Sequence, residues 1–153
     1  MRDLDVFDKQ LLRLLQVNNR LTAEELAEAV SLSPSAVQRR LKKLRDEKVI
    51  EADVSIIASE ALGVGIICIV DVVLEDGSSR VLDKFKTCMR KCPEVSHCYF
   101  VTGTYDFVLI VHIGDMKQYE AFSKKWLMDN PHVKHFYTHV VMDKVKASHS
   151  LPI

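Results

Sequence analysis

Between Leu32 and Asp46 the chain gathers Ser33, Ser35, Gln38, Arg39, Arg40, Lys42, Lys43 and Arg45, a set of hydroxyls, one amide and five cations with no acid among them. Ser and Gln side chains and the Arg fork hydrogen-bond base edges in a DNA major groove, and Lys and Arg neutralise phosphates. A helix must present them. Ser33 can cap and Pro34 suits the first helical position, so the spacing predicts a helix from Pro34. Val37, Leu41, Leu44 and the stem of Lys48 then share an inward side, while Ser35, Gln38, Arg39 and Lys42 share another face. Arg40, Lys43 and Arg45 stand at the flanks, where phosphates would lie, although Arg40 could equally anchor the domain internally. Taken alone, a solvated amphipathic helix has the same stripes.

Composition sets bounds on the rest. The chain has 153 residues, 48% hydrophobic and 27% charged, which is an ordinary globular balance with room for one generous domain or two small ones. Net charge is zero, yet residues 1–50 hold ten Lys/Arg against eight Asp/Glu, and the cations concentrate between Arg39 and Arg45. The apolar run Val64–Val70 is too short to span a bilayer and no signal-peptide pattern opens the chain, so a cytoplasmic protein without membrane contact is expected. Cys68, Cys88, Cys92 and Cys98 form no CxxC pair and read as buried thiols. Cys88, Cys92, His97 and Cys98 could be assembled into a zinc site only without the usual spacing, so no metal is expected.

The remaining elements follow from periodicity. Asp5–Val17 reads as a first helix with Asp5 and Asp8 in its first turn, and Thr22 with Glu25 forms a capping box for a second helix over Ala23–Val30. Followed by the Pro34 helix after a short turn, these make a helix-turn-helix, whose last helix enters the major groove. Residues 49–62 read as an extended linker ending in one helical turn over Ser59–Leu62. Beyond it the spacing predicts a strand over Gly65–Leu74, a helix over Ser79–Lys91, strands over Val95–Thr102 and Asp106–Ile113, a helix over Met116–Met128, and a strand over Val133–Val145. That order is βαββαβ, the ferredoxin-like split arrangement. Its strands are apolar on both sides, which predicts a partner on the open face and hence a homodimer.

A helix-turn-helix joined to a βαββαβ domain resembles the leucine-responsive regulatory protein/AsnC family of transcription regulators. Leu4-Asp5, Asp8, Leu11-Leu12, Leu15, Asn19-Arg20, Glu25-Leu26-Ala27, Leu32-Ser33, Val37, Arg40, Leu44 and Val49-Ile50 carry the first part of the likeness. Val101-Thr102-Gly103-Thr104-Tyr105-Asp106, Asp115-Met116 and Thr138-His139-Val140-Val141-Met142 carry the second. The resemblance implies an α+β fold with a winged helix-turn-helix domain at 1–50, a linker strand at 51–63, and a ferredoxin-like RAM-type domain at 64–153. It also implies binding of double-stranded DNA, a homodimer often built into octamers, and an amino acid or related effector, with control of amino-acid metabolism or transport. The matching effector positions are Gly103, Thr104, Tyr105, Asp106, Thr138 and Val140. Backbone N–H groups at a glycine turn can hold an α-carboxylate and Asp106 an α-ammonium; a plain hairpin with Asp106 as its cap uses the same residues.

Three positions depart from the family pattern. Many members have glycine at Ser31 and at Lys48, so a left-handed backbone there would be strained, and many have an acid at Thr104, so the effector's identity does not transfer. Two other functions fit the architecture: an enzyme resembling sirohaem decarboxylases, and a ligand-binding module without DNA contact. No paired catalytic groups, metal motif or phosphate loop support the first, so neither an enzyme nor a cofactor is expected, and the cation-rich helix speaks against both.

Overall fold

The computed structural model describes residues 3–153 and divides into two units, one running up to Ile56 and taking in Lys146–Ile153, the other covering Ile57–Val145. The first unit holds three capped helices. α1 (Val6–Val17) begins where the Asp5 carboxylate accepts from the Asp8 N–H, and α2 (Ala23–Val30) where Thr22 and Glu25 bond each other's backbone reciprocally. α3 (Pro34–Asp46) starts at Ser33, whose hydroxyl accepts from the Ala36 N–H. Leu11, Leu26, Ala27, Val30, Val37, Leu41 and Leu44 are buried together, with the expected Val37, Leu41 and Leu44 forming the inward side of α3.

Lys48 is a correction. It lies past the end of α3, exposed, with φ of 58°, and its stem does not join the inward stripe. Ser31 likewise ends α2 in the left-handed conformation at φ 55°. Both positions therefore have the backbone that favours glycine, and replacing either residue by glycine is expected to stabilise the unit by about 1 kcal/mol, read as a rise in Tm.

Residues 51–58, expected within a linker strand, carry no regular structure, and among the described residues no strand precedes Ile66, so no wing is built. An extended segment becomes a strand only when another backbone pairs with it, and none does here. The end of the chain also departs from expectation, since residues 146–153 group with the helices rather than with the sheet. Leu151 N–H donates to Gln16 Oε1 at 2.5 Å, Gln16 Nε2 donates to the Leu151 carbonyl at 3.2 Å, and Arg13 Nε donates to the Ile153 carbonyl at 2.5 Å.

The second unit opens with a 3-10 turn at Ser59–Leu62 and continues as β1 (Ile66–Leu74), α4 (Ser79–Met89), β2 (Val95–Phe100), β3 (Phe107–Ile113), α5 (Met116–Ser123) with a further π turn (Lys124–Met128), and β4 (Val133–Val140). The strands form one antiparallel sheet in the order β2-β3-β1-β4, as a split βαββαβ requires. Strand alternation sends Cys68, Val70, Val72, Leu74, Phe107, Leu109, Val111 and Ile113 to the face covered by the helices, where Val81, Phe85, Met89, Tyr119, Phe122 and Leu127 meet them. β4 stops at Val140 rather than at Val145 for a simple reason. Its one neighbour is β1, which begins at Ile66, so the pairing ends with Cys68 opposite Val140 and the Val141 N–H on the Ile67 carbonyl.

Candidate functional site

The exposed face of α3 is built from a capped start, a buried back and two tethered flanks. Val37, Leu41 and Leu44 hold the helix to the core, which turns Ser35, Gln38, Arg39, Lys42 and Lys43 outward, all exposed. Among the described residues Gln38, Arg39 and Lys42 have no ion pair and no side-chain hydrogen bond, so their donors are free for another molecule. Ser33 and Ser35 are joined hydroxyl to hydroxyl at 3.1 Å beside the helix start, where backbone N–H groups and the helix dipole favour an anion. Lys43 reaches Glu47 at 3.8 Å, a loose contact one turn along.

Two of the expected phosphate-binding cations are already engaged. Arg40 donates from Nη1 to Asp5 Oδ2 at 2.7 Å and to Asp8 Oδ1 at 2.8 Å, and Asp8 is fully buried. The guanidinium also lies over the Phe7 ring, 5.4 Å from its centre. Arg40 thus anchors α1 to α3, the internal role that the sequence left open beside phosphate contact. Arg45 grips Asp53 with two bonds, at 2.9 and 3.4 Å, and its guanidinium holds the Asp53 carboxyl below the ordinary carboxylate value. The signal for the Arg40 clasp was present in the sequence as Asp5 and Asp8, one turn apart on α1, which helix-dipole reasoning alone accounted for. Asp53 gave no signal, because its pairing depends on how the chain after α3 folds back.

The Gly103–Asp106 turn joins β2 to β3. The Val101 N–H donates to the Asp106 carbonyl, the Asp106 N–H to the Val72 carbonyl, and the Leu74 N–H to Asp106 Oδ2 at 2.7 Å. Gly103 sits at φ 120°, where a side chain would be strained. The Asp106 carboxylate thus ties the turn to the end of β1 with one oxygen rather than capping its own hairpin, while Oδ1 has no partner among the described residues and is left for a donor such as an ammonium. Gly103 and Thr104 are exposed, and the Tyr105 ring meets Tyr137 edge-on at 5.9 Å, a neighbour that the sequence did not suggest.

β4 contributes less than expected to that turn. Thr138 pairs with Val70 and faces the helices, where its hydroxyl bonds the Tyr119 hydroxyl. Val140 pairs with Cys68, several residues along β1 from the Val72 and Leu74 groups that hold Asp106. At about 3.3 Å per residue this separation is more than 10 Å. One chain therefore brings Gly103, Thr104, Tyr105 and Asp106 together and leaves Val140 apart from them.

The cysteines make no site with the histidines. Among the described residues no three His, Cys, Asp or Glu side chains are placed to share a metal ion. Cys68 and Cys92 are buried, as expected; Cys98 is exposed, contrary to expectation. Burial, and then the hydrogen bond from its thiol to Glu94, push Cys92 up to about 12, which keeps it an inert thiol. No helix among the described residues is long and apolar enough to cross a membrane.

Comparison with known proteins finds a matching domain in each half of the chain. Residues 4–45 match the AsnC-type helix-turn-helix domain and residues 67–151 the Lrp/AsnC ligand binding domain. An uncharacterised HTH-type transcriptional regulator of Sinorhizobium fredii is 50% identical over 99% of this chain and 89% of its own. The leucine-responsive regulatory protein of Escherichia coli is 30% identical over 99% of this chain and 93% of its own. A transcriptional regulator of Neisseria meningitidis, solved as a complex with L-methionine, superposes with a TM-score of 0.93 at 32% identity, covering 98% of this chain and 97% of that one. With one matched domain on each side of the linker and relatives aligned from end to end, the chain belongs to the Lrp/AsnC family of helix-turn-helix transcriptional regulators.

Proposed function

We propose that α3 enters the major groove with Ser35, Gln38 and Arg39 on base edges and with Ser33, Lys42 and Lys43 on phosphates. The observation that carries this reading is the stripe of Gln38, Arg39 and Lys42, exposed and without partners on a helix whose back is buried. Arg45 reaches a phosphate only by releasing Asp53, and Arg40 has no such part. Replacing Lys43 by alanine is expected to weaken every duplex alike and to lower the slope of log K against log salt by about 1, whereas replacing Gln38 changes the preferred sequence by about 1–3 kcal/mol. Fluorescence anisotropy with the duplex upstream of the chain's own coding sequence, against a scrambled duplex across salt, measures both effects. Equal, salt-insensitive binding of the two duplexes would remove the DNA reading.

The regulator works as a homodimer closed through its sheets. The face away from the helices presents Ile67, Ile69, Val73, Val108 and Ile110 half-buried, with Tyr99 and Tyr137 exposed beside them and the Asp71–His139 pair among them, a mostly apolar surface that a second sheet would cover. Its ligand is an amino acid or a related small metabolite held at Gly103, Thr104, Tyr105 and Asp106, and the L-methionine complex of the Neisseria relative supports that class. Thr138 stays part of the wall through Tyr119, and Val140 reaches a ligand only if it belongs to another copy's turn. Repeating the anisotropy titration with single amino acids tests the ligand. A binding curve that none of them shifts would exclude the amino-acid effector, and a sedimentation mass of one chain would exclude the dimer.

A further inference from the structure

A groove of about 390 Å³ runs between α4 and β2, on the helix-covered side of the sheet and at the edge opposite β4. Met89, Phe100 and Phe107 are among its apolar residues, Cys98 opens into it, and Lys86 on α4 and Arg90 at the cap of that helix, one turn on, line it. Lys86 Nζ lies 5.1 Å from the centre of the Phe100 ring and forms an ion pair with Asp83 at 3.8 Å. Arg90 is exposed and has no ion pair among the described residues. Among the described residues no carboxylate lines the groove. Glu94, the nearest acid in sequence, is turned to Cys92.

Two cations beside three apolar side chains attract a specific kind of molecule. We propose that the groove between α4 and β2 binds a monocarboxylate with an apolar or aromatic body, the carboxylate meeting Lys86 and Arg90 and the body lying against Met89, Phe100 and Phe107. The volume falls in the range of small-molecule sites, and the lining sets two cations and the Ser96 hydroxyl beside Met89, Phe100 and Phe107. Arg supplies a planar fork that matches a carboxylate, and Lys adds a point charge. The groove shares no residue with the Gly103–Asp106 turn, and its occupancy does not depend on DNA binding. Phe100 and Phe107 are nonetheless the last residue of β2 and the first of β3, so a ligand here would press on the two strand ends from which that turn springs.

Cys98 provides the readout. Burial by its surroundings raises its thiol, and Arg90 and Lys86 oppose the rise, so alkylation is measured above neutral pH. Full-length protein is treated with iodoacetamide, and each cysteine is followed by peptide mass spectrometry with phenylacetate or the neutral phenylacetamide present. The expected result is saturable protection of Cys98 by phenylacetate and little by phenylacetamide. The concentration needed for half protection should rise at least about tenfold in Lys86→Gln/Arg90→Gln, since two charge-assisted contacts are lost. Buried Cys68 and Cys92 must stay unlabelled as the check on folding, and Arg90→Gln alone, at an exposed position, replaces the double variant if they do not. Equal protection by the amide, or protection unchanged by Arg90→Gln, would overturn the site. So would a Cys98 that is unreactive without any added carboxylate, because another copy of the chain would then occupy the groove.

Discussion

Replacing Arg40 by alanine is expected to destabilise the helix-turn-helix unit by about 2 kcal/mol, because it removes the charge-assisted bonds from the guanidinium to the Asp5 and Asp8 carboxylates. The two bonds to Asp5 and Asp8 run from α3 to the first turn of α1, so their loss also frees the clasp that sets one helix against the other. Hydrogen exchange followed by mass spectrometry would register the change as lost protection in α1 and α3 with β1 and β3 unaffected. Were Arg40 a phosphate contact instead, protection would be unchanged and DNA affinity would fall with a shallower salt slope. The same clasp has an acid limb. The Asp8 N–H and then Arg40 hold the Asp5 carboxyl below its ordinary value. Its contribution is therefore complete above the ordinary carboxylate range and is lost as the pH falls through the lowered value.

Replacing Phe107 by alanine is expected to cost the sheet unit about 4 kcal/mol, the range for emptying an aromatic site in a packed core. Phe107 is 1% exposed, with its ring centre 4.7 Å from that of Phe85 on α4 and 5.2 Å from that of Phe100 on β2. It joins three elements, so neither helix nor strand can close on the space alone. It also directly follows Asp106, and amides of the 101–106 turn should exchange faster along with those of α4. Replacement by leucine, which fills most of the volume, should recover at least half of the loss. Loss of protection confined to the three helices of the first unit would contradict this account.

Much of the architecture could be read directly because each element is specified locally. A Ser, Thr or Asp cap needs only the N–H groups two or three residues ahead, so α1, α2 and α3 begin where Asp5, Thr22 and Ser33 stand. The βαββαβ order likewise follows from a period of two giving way to a period of 3.6, and it admits few sheet topologies. Left-handed backbone at Ser31 and Lys48 could be anticipated from the residues that the family places there, and both have it. The candidate DNA face was legible for the same reason: residues three and four apart on a helix point together wherever the helix lies.

What the residues could not specify was which polar groups meet across the chain. Eight side chains were available to DNA in sequence; the fold turns Arg40 to Asp5 and Asp8 and Arg45 to Asp53, and leaves Gln38, Arg39 and Lys42 without partners. Thr138 and Val140 share a strand, but only the register against β1 puts Thr138 on Tyr119 and carries Val140 away from the turn. The Cys98 groove was similarly invisible, since Lys86 and Arg90 reach β2 only after α4 has packed on the sheet. Local hydrogen bonds and hydrophobic period are decided within a few residues, so the sequence by itself determined the elements, their order and the faces they present. Ion pairs and strand register depend on partners far along the chain, and those the tertiary structure alone decided.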